Sequence, residues 1–226
     1  MALFDELKNK LMQATRRAAT QAVHELEGKA LDKARTFMES KGLPVGGSSS
    51  SIAPAGGAST ATYMATLERL PRNLEEVKAL PEASLTEPQY AAVLTVAALC
   101  LYPSDKNAAL EILDFINGPK EINGQNVSFL DDRFRGKDYV PRSYWQGATP
   151  ENNYQPDVPY TAVFTENTHS RAAYNEGYLK LFVRSGGADS PRSMTLRLKP
   201  STQQWFLWEQ FLLVDVRPPK ENDPWA

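Results

Sequence analysis

The amino-acid sequence predicts an α+β fold: helices packed on one face of an antiparallel sheet, with a long amphipathic helix and a flexible linker in front. Three observations carry this. Segments with helical apolar spacing come first along residues 63–134, and runs of two-residue alternation follow from Tyr160. No strand–helix–strand alternation interrupts that order. A charge-free stretch of small residues, 42–62, divides this body from a front segment of different composition.

The front segment, residues 1–41, is rich in Ala, Leu, Lys, Glu and Arg, all good helix formers, and predicts one long helix. Stepping by three or four residues, Phe4, Leu7, Leu11, Ala14, Ala18, Ala22 and Leu26 form an apolar stripe, with Thr15 as its polar neighbour. Met12, Ala19, Val23, Ala30, Ala34 and Phe37 widen it. Eight Lys and Arg against six Asp and Glu give this segment +2, so in a chain of net −2 the remainder carries −4. Residues 42–62, GLPVGGSSSSIAPAGGASTAT, read as a linker. Random-coil scaling gives it a span of roughly 25 Å. A solitary amphipathic helix cannot bury its own stripe, so it needs its own domain, a second copy, another protein or a lipid surface.

The domain is predicted over residues 63–226. Asn73, with Glu76 three residues on, reads as an N-cap with a capping-box partner opening a short helix to about Leu80. Thr86-Glu87-Pro88 opens a helix that runs to about Tyr102, is apolar on most faces and stops at Pro103. Ser104 is expected to cap a third helix, and Asn117-Gly118-Pro119 ends it. A short helix is expected over 128–134. The turn formers of 146–159 predict an ordered irregular loop, and strands are expected over 160–165, 178–184, 193–199 and 205–208. Met194, Leu196 and Leu198 alternate with Thr195, Arg197 and Lys199, which places one face of the sheet in water.

Composition excludes several classes. At 226 residues, net charge −2 and pI near 5.8, the chain lacks the basic footprint of a nucleic-acid binder. One cysteine, Cys100, rules out a disulfide framework and reads as a core hydrophobe. Charges interrupt residues 1–17, so no signal-peptide core is present and a cytoplasmic location is expected. The longest apolar stretch, 90–102, falls short of the ~20 residues a spanning helix needs.

For chemistry, the segment Ser185-Gly186-Gly187-Ala188-Asp189-Ser190-Pro191-Arg192 stands out between two predicted strands. As structure it is a hairpin loop whose glycines permit positive φ. As a site it would hold an anion or carboxylate on free amides and Arg192, with Asp189, Tyr144 and Tyr154 completing a ligand-binding set. Tyr139, Trp145, Tyr160 and Tyr174 gather around the same Pro-rich loop, either as a groove lining or as anchors. His24 and His169 lack a nucleophile partner, so no catalytic residue is assigned, and the chain reads as a protein other than an enzyme. Two distant histidines and one cysteine give no metal site, and no cofactor is expected. Asp131 and Asp132 read as a helix N-terminal charge cluster, and Glu209 and Asp215 as solvated carboxylates.

Ser143-Tyr144-Trp145-Gln146-Gly147-Ala148-Thr149-Pro150, then Asn153-Tyr154, Pro159-Tyr160-Thr161, the 185–192 segment and Asp223-Pro224-Trp225-Ala226 together resemble an uncharacterised bacterial family, a domain of unknown function. The resemblance covers residues 65–226 and implies a bacterial cytoplasmic origin. It carries over no activity and no catalytic residue. The functional expectation is therefore a non-enzymatic interaction or scaffold protein. In it Phe4, Leu7, Leu11, Ala18, Ala22 and Leu26 mediate self-association or docking to a protein partner. Two alternatives are an anionic-ligand or peptide-binding domain or enzyme using the 185–192 loop, and peripheral attachment to a membrane surface through the front helix.

Overall fold

Nine consecutive small or apolar side chains explain the middle of the molecule. In the computed structural model, which describes residues 61–222, helix α2 (Pro88–Leu101) buries every residue from Ala91 to Leu99 completely. A helix apolar all round has to be wrapped rather than laid on a surface. The one hydroxyl in that stretch, Thr95 Oγ1, donates back to the Ala91 carbonyl at 2.7 Å, so no polar group is left unsatisfied there. The predicted front helix, with its Phe4, Leu7, Leu11, Ala18, Ala22 and Leu26 stripe, and the linker as far as residue 60 lie outside the described residues.

The wrapping is done by a five-stranded curled antiparallel sheet in the order β1 (Thr62–Leu67), β2 (Tyr160–Thr165), β3 (Tyr178–Val183), β4 (Arg192–Lys199) and β5 (Gln204–Gln210). Alternate residues point inward and are buried: Ala65 and Leu67, Ala162 and Phe164, Leu179 and Leu181, Met194 and Leu196, Trp205 and Leu207. Helix α2 packs against β1, β2, β4 and β5, so the sheet bends its two edges toward the same helix. The other helices are α1 (Leu74–Lys78), α3 (Lys106–Asn117) and α4 (Gly124–Phe134).

Strand β1 corrects the expected order of helices first and strands later. It precedes every described helix and pairs with β2 in full register, Thr62 opposite Thr165 and Leu67 opposite Tyr160. Its first residue falls in the predicted linker. The outward positions Thr62, Met64 and Thr66 are uncharged and follow a run of small residues, so the two-residue alternation of Tyr63, Ala65 and Leu67 merged with the linker composition.

Caps differ in instructive ways. Asn73 accepts from Glu76 N at 2.8 Å as predicted, but the Glu76 carboxylate reaches back to the amide and guanidinium of Arg72 rather than to the cap's own N–H. Helix α3 is capped by Asp105, which accepts from Ala108 N at 3.0 Å. Ser104 instead donates to the Leu101 carbonyl at 3.0 Å and closes α2. Helix α4 begins four residues before the predicted 128, because Asn123 and Asn126 form a reciprocal capping box that overrides the poor propensity of Gly124. Asp131 and Asp132 thus sit late in that helix and are not an N-terminal cluster; they pair with Lys106 at 2.7 Å and Arg135 at 4.0 Å.

Candidate binding groove

The four residues singled out for a ligand all point at one stretch of the chain itself. Tyr144 donates to the Leu212 carbonyl and Tyr154 to the Arg217 carbonyl at 2.7 Å. Arg192 Nη2 donates to the Asp215 carbonyl at 2.6 Å, and its Nη1 to the Ser190 carbonyl and hydroxyl at 3.0 and 2.9 Å. Asp189 pairs with Arg217 at 3.3 Å, and Arg217 N donates to the Gly187 carbonyl at 2.9 Å. Tyr139 adds a bond to the Val216 carbonyl. The cluster is a clamp on residues 212–217, whose carbonyls take the hydroxyls of Tyr144 and Tyr154 and one guanidinium nitrogen of Arg192, while the buried Arg192 Nε has no partner among the described residues. Burial raises the Tyr154 hydroxyl to about 12 and pushes that of Tyr144 up as well, so both stay neutral donors.

The paired glycines of the loop answer to close approach rather than to positive φ. A β-carbon on Gly186 would lie 1.9 Å from the Ala148 carbonyl oxygen, and one on Gly187 1.8 Å from the Tyr154 hydroxyl. Below them Ser185 donates to Ser143 at 2.8 Å, and Ser143 donates on to the Val140 carbonyl. Tyr139 stacks on Tyr154 and Trp145 meets Tyr160 edge-on, all four serving as anchors of the irregular loop.

The remaining chemical candidates fall to ordinary partners. The indole of Trp145 donates to the Cys100 sulfur at 3.3 Å, and burial pushes that thiol up to about 12, so it stays protonated. His169 is exposed in a turn. Glu209 is exposed, and Asp215 is held below the usual carboxylate range by its hydrogen bond to Lys137. Among the described residues no group of three or more His, Cys, Asp or Glu is placed to hold a metal, and no helix is long and apolar enough to cross a membrane. One cluster was not anticipated: the buried Glu166 carboxylate takes both Arg171 Nε and Nη2, at 2.6 and 2.8 Å, and the Tyr63 hydroxyl. Burial and that carboxylate raise Tyr63 to about 12.

Open concavity lies elsewhere, around Trp208 on β5. A groove of about 430 Å³ runs between α4 and β5, floored by Leu113, Leu130 and Leu213 and flanked by Phe129 and Phe211. A compartment of about 360 Å³ adjoins it, with Phe206, Pro119 and Pro200 in its walls. The two share Asn117, Lys120, Leu207 and Trp208. Phe129 and Phe211 are each 47% exposed and Trp208 37%, an unusual concentration of uncovered large apolar side chains. Phe206 and Trp208 share the outward side of β5, a parity already visible in the Gln204–Gln210 strand.

Cations ring this surface, and they rest on aromatic faces. Lys120 Nζ lies 4.5 Å from the Trp208 ring centre and donates to the Trp208 carbonyl at 2.7 Å. Arg197 lies 4.9 Å from the rings of both Trp208 and Tyr178, and Arg133 lies 5.1 Å from that of Phe129. Lys199 lines the second compartment. None of these four has an ion-pair partner among the described residues, whereas Arg72, Lys106, Lys137, Arg171 and Arg217 each hold a carboxylate. Such a lining can bury an apolar body and hold an anionic group beside it.

A family model described as a domain of unknown function (DUF6935) matches residues 69–220. The chain belongs to that family. The match takes in the clamp and the groove and stops short of the front segment. No curated protein and no solved structure matches the chain.

Proposed function

We propose that the protein is a non-enzymatic interaction module, in which the α+β domain takes hold of a partner through the Trp208 groove. The amphipathic segment 1–41 adds self-association through Phe4, Leu7, Leu11, Ala18, Ala22 and Leu26. One observation carries the reading. Phe129, Trp208 and Phe211 stand about half exposed around one groove, and the four cations beside them lack ionic partners among the described residues. Aromatic rings and guanidinium groups that keep their contact surface open are the residue types that dominate binding energy at protein interfaces. The clamp supports the same reading from the other side, since the hydroxyls of Tyr144 and Tyr154 and the Nη2 donor of Arg192 go to the chain's own carbonyls.

A photoreactive phenylalanine derivative at position 211 of the full chain tests it, with the same group at the exposed helical position Glu75 as control. The expected result is a discrete cross-linked product of higher mass from position 211 and none from 75. No product from 211, or equal products from both, would remove the groove as the docking surface.

A further inference from the structure

Resting on that reading of the groove, we infer that its occupant is an acidic segment of a partner protein that carries an aromatic or long aliphatic anchor. Lys120, Arg133, Arg197 and Lys199 face Glu209 as the one carboxylate in the lining. The imbalance extends beyond the groove: residues 178–210 hold Lys180, Arg184, Arg192, Arg197 and Lys199 against Asp189 and Glu209. Elsewhere the domain is acidic, for residues 61–222 contain 17 Lys and Arg against 20 Asp and Glu. Positive potential is therefore local, and a partner whose negative charge is short matches it without meeting the acidic remainder. A long uniform polyanion would meet both.

The cations are also pre-positioned. Ring contacts fix Lys120, Arg133 and Arg197, which lowers the side-chain entropy lost when a carboxylate arrives. Most of their donors are unspent: Lys120 uses one on the Trp208 carbonyl, Arg197 uses one on the Tyr178 hydroxyl, and Arg133 and Lys199 use none among the described residues. The apolar half of the occupant follows from shape. Each compartment has room for a large side chain, and the two adjoin at Trp208, so a chain bearing two such side chains can enter both. A carboxylate flanking such an anchor reaches a cation from either compartment.

The test is selection of random twelve-residue peptides displayed on phage against the full-length chain. Fluorescence anisotropy then follows the enriched peptide and a version in which every Asp and Glu becomes Asn or Gln. The enriched sequences are expected to hold more Asp and Glu than Lys and Arg, with at least one Trp, Phe or Leu. The neutralised peptide and the variant R133E/K199E are each expected to weaken binding at least about tenfold. Both of those side chains are exposed, so the double variant keeps its fold, and circular dichroism verifies it. Enrichment of basic or neutral peptides, no enrichment at all, or no effect of R133E/K199E would overturn the inference. So would a single-stranded oligonucleotide that competes with the peptide at equal concentration. Neutral peptides lost on Trp208→Ala would overturn the acidic class alone and leave the groove standing. Absence of the photo-adduct at position 211 strikes the groove itself.

Discussion

The Tyr154 hydroxyl stands where a β-carbon on Gly187 would have to be, 1.8 Å from it, and from there it donates to the Arg217 carbonyl. A glycine is thus a condition for drawing the segment after β5 against the Pro-rich loop. Gly187→Ala forces the ring and Val216 aside and is expected to cost about 1–3 kcal/mol, at about 2–4 °C of melting temperature per kcal/mol for a domain of this size. Gly124→Ala is the control. A β-carbon there meets nothing within 4 Å, so the thermal melt should stay put or rise slightly.

Tyr144→Phe removes the donor to the buried Leu212 carbonyl and is expected to cost about 1–3 kcal/mol, read as a lower urea midpoint at unchanged slope. Arg192→Ala should lower the midpoint too, with no ligand present, because it releases the Asp215 carbonyl. An Arg192→Ala protein with unaltered stability would contradict the clamp.

The two candidate caps of α3 separate cleanly. Asp105→Ala is expected to cost about 1 kcal/mol, the usual loss for an N-cap acceptor. Ser104→Ala should cost less than about 0.5 kcal/mol, because its hydroxyl is exposed and bonds the end of α2. Equal losses in chemical denaturation would return the cap to Ser104.

Stability should fall on the alkaline side. Cys100 keeps its proton in the folded chain up to about pH 12 but loses it near 9.0 once unfolded, and Tyr63 likewise moves from 10.0 to about 12. The folded form then binds more protons than the unfolded form across pH 9–12, so unfolding is favoured as pH rises through that window and is unaffected below it. Urea midpoints should be level to about pH 8.5 and decline above pH 9. In Cys100→Ala the decline should begin nearer pH 10, with only the tyrosines left to drive it.

Local patterns revealed the strands β2, β3 and β4 to within a residue or so, because each alternates cleanly between a buried and a wet face. They revealed α2 as well, since a helix apolar all round must be interior. Tertiary relations stayed hidden. Strand β1 gains its identity from a partner about a hundred residues away. Tyr144, Tyr154 and Arg192 are expected at a ligand, yet nothing in those residues says that their acceptors are the carbonyls of 212–217. The groove is assembled from the end of α3, the outer side of α4 and the edge strand β5, three pieces without a shared motif. Its one local sign was the pair Phe206 and Trp208 on the same parity, aromatic where a wet face predicts polar.

Self-association through the front segment is tested most directly by the mass of the full chain in light scattering. The wild-type chain is expected at a multiple of 25.1 kDa, and Leu7→Glu/Leu11→Glu/Leu26→Glu, which places charge along the stripe of the front segment, at 25.1 kDa. A mass of 25.1 kDa for both, across micromolar to hundred-micromolar protein, would contradict it.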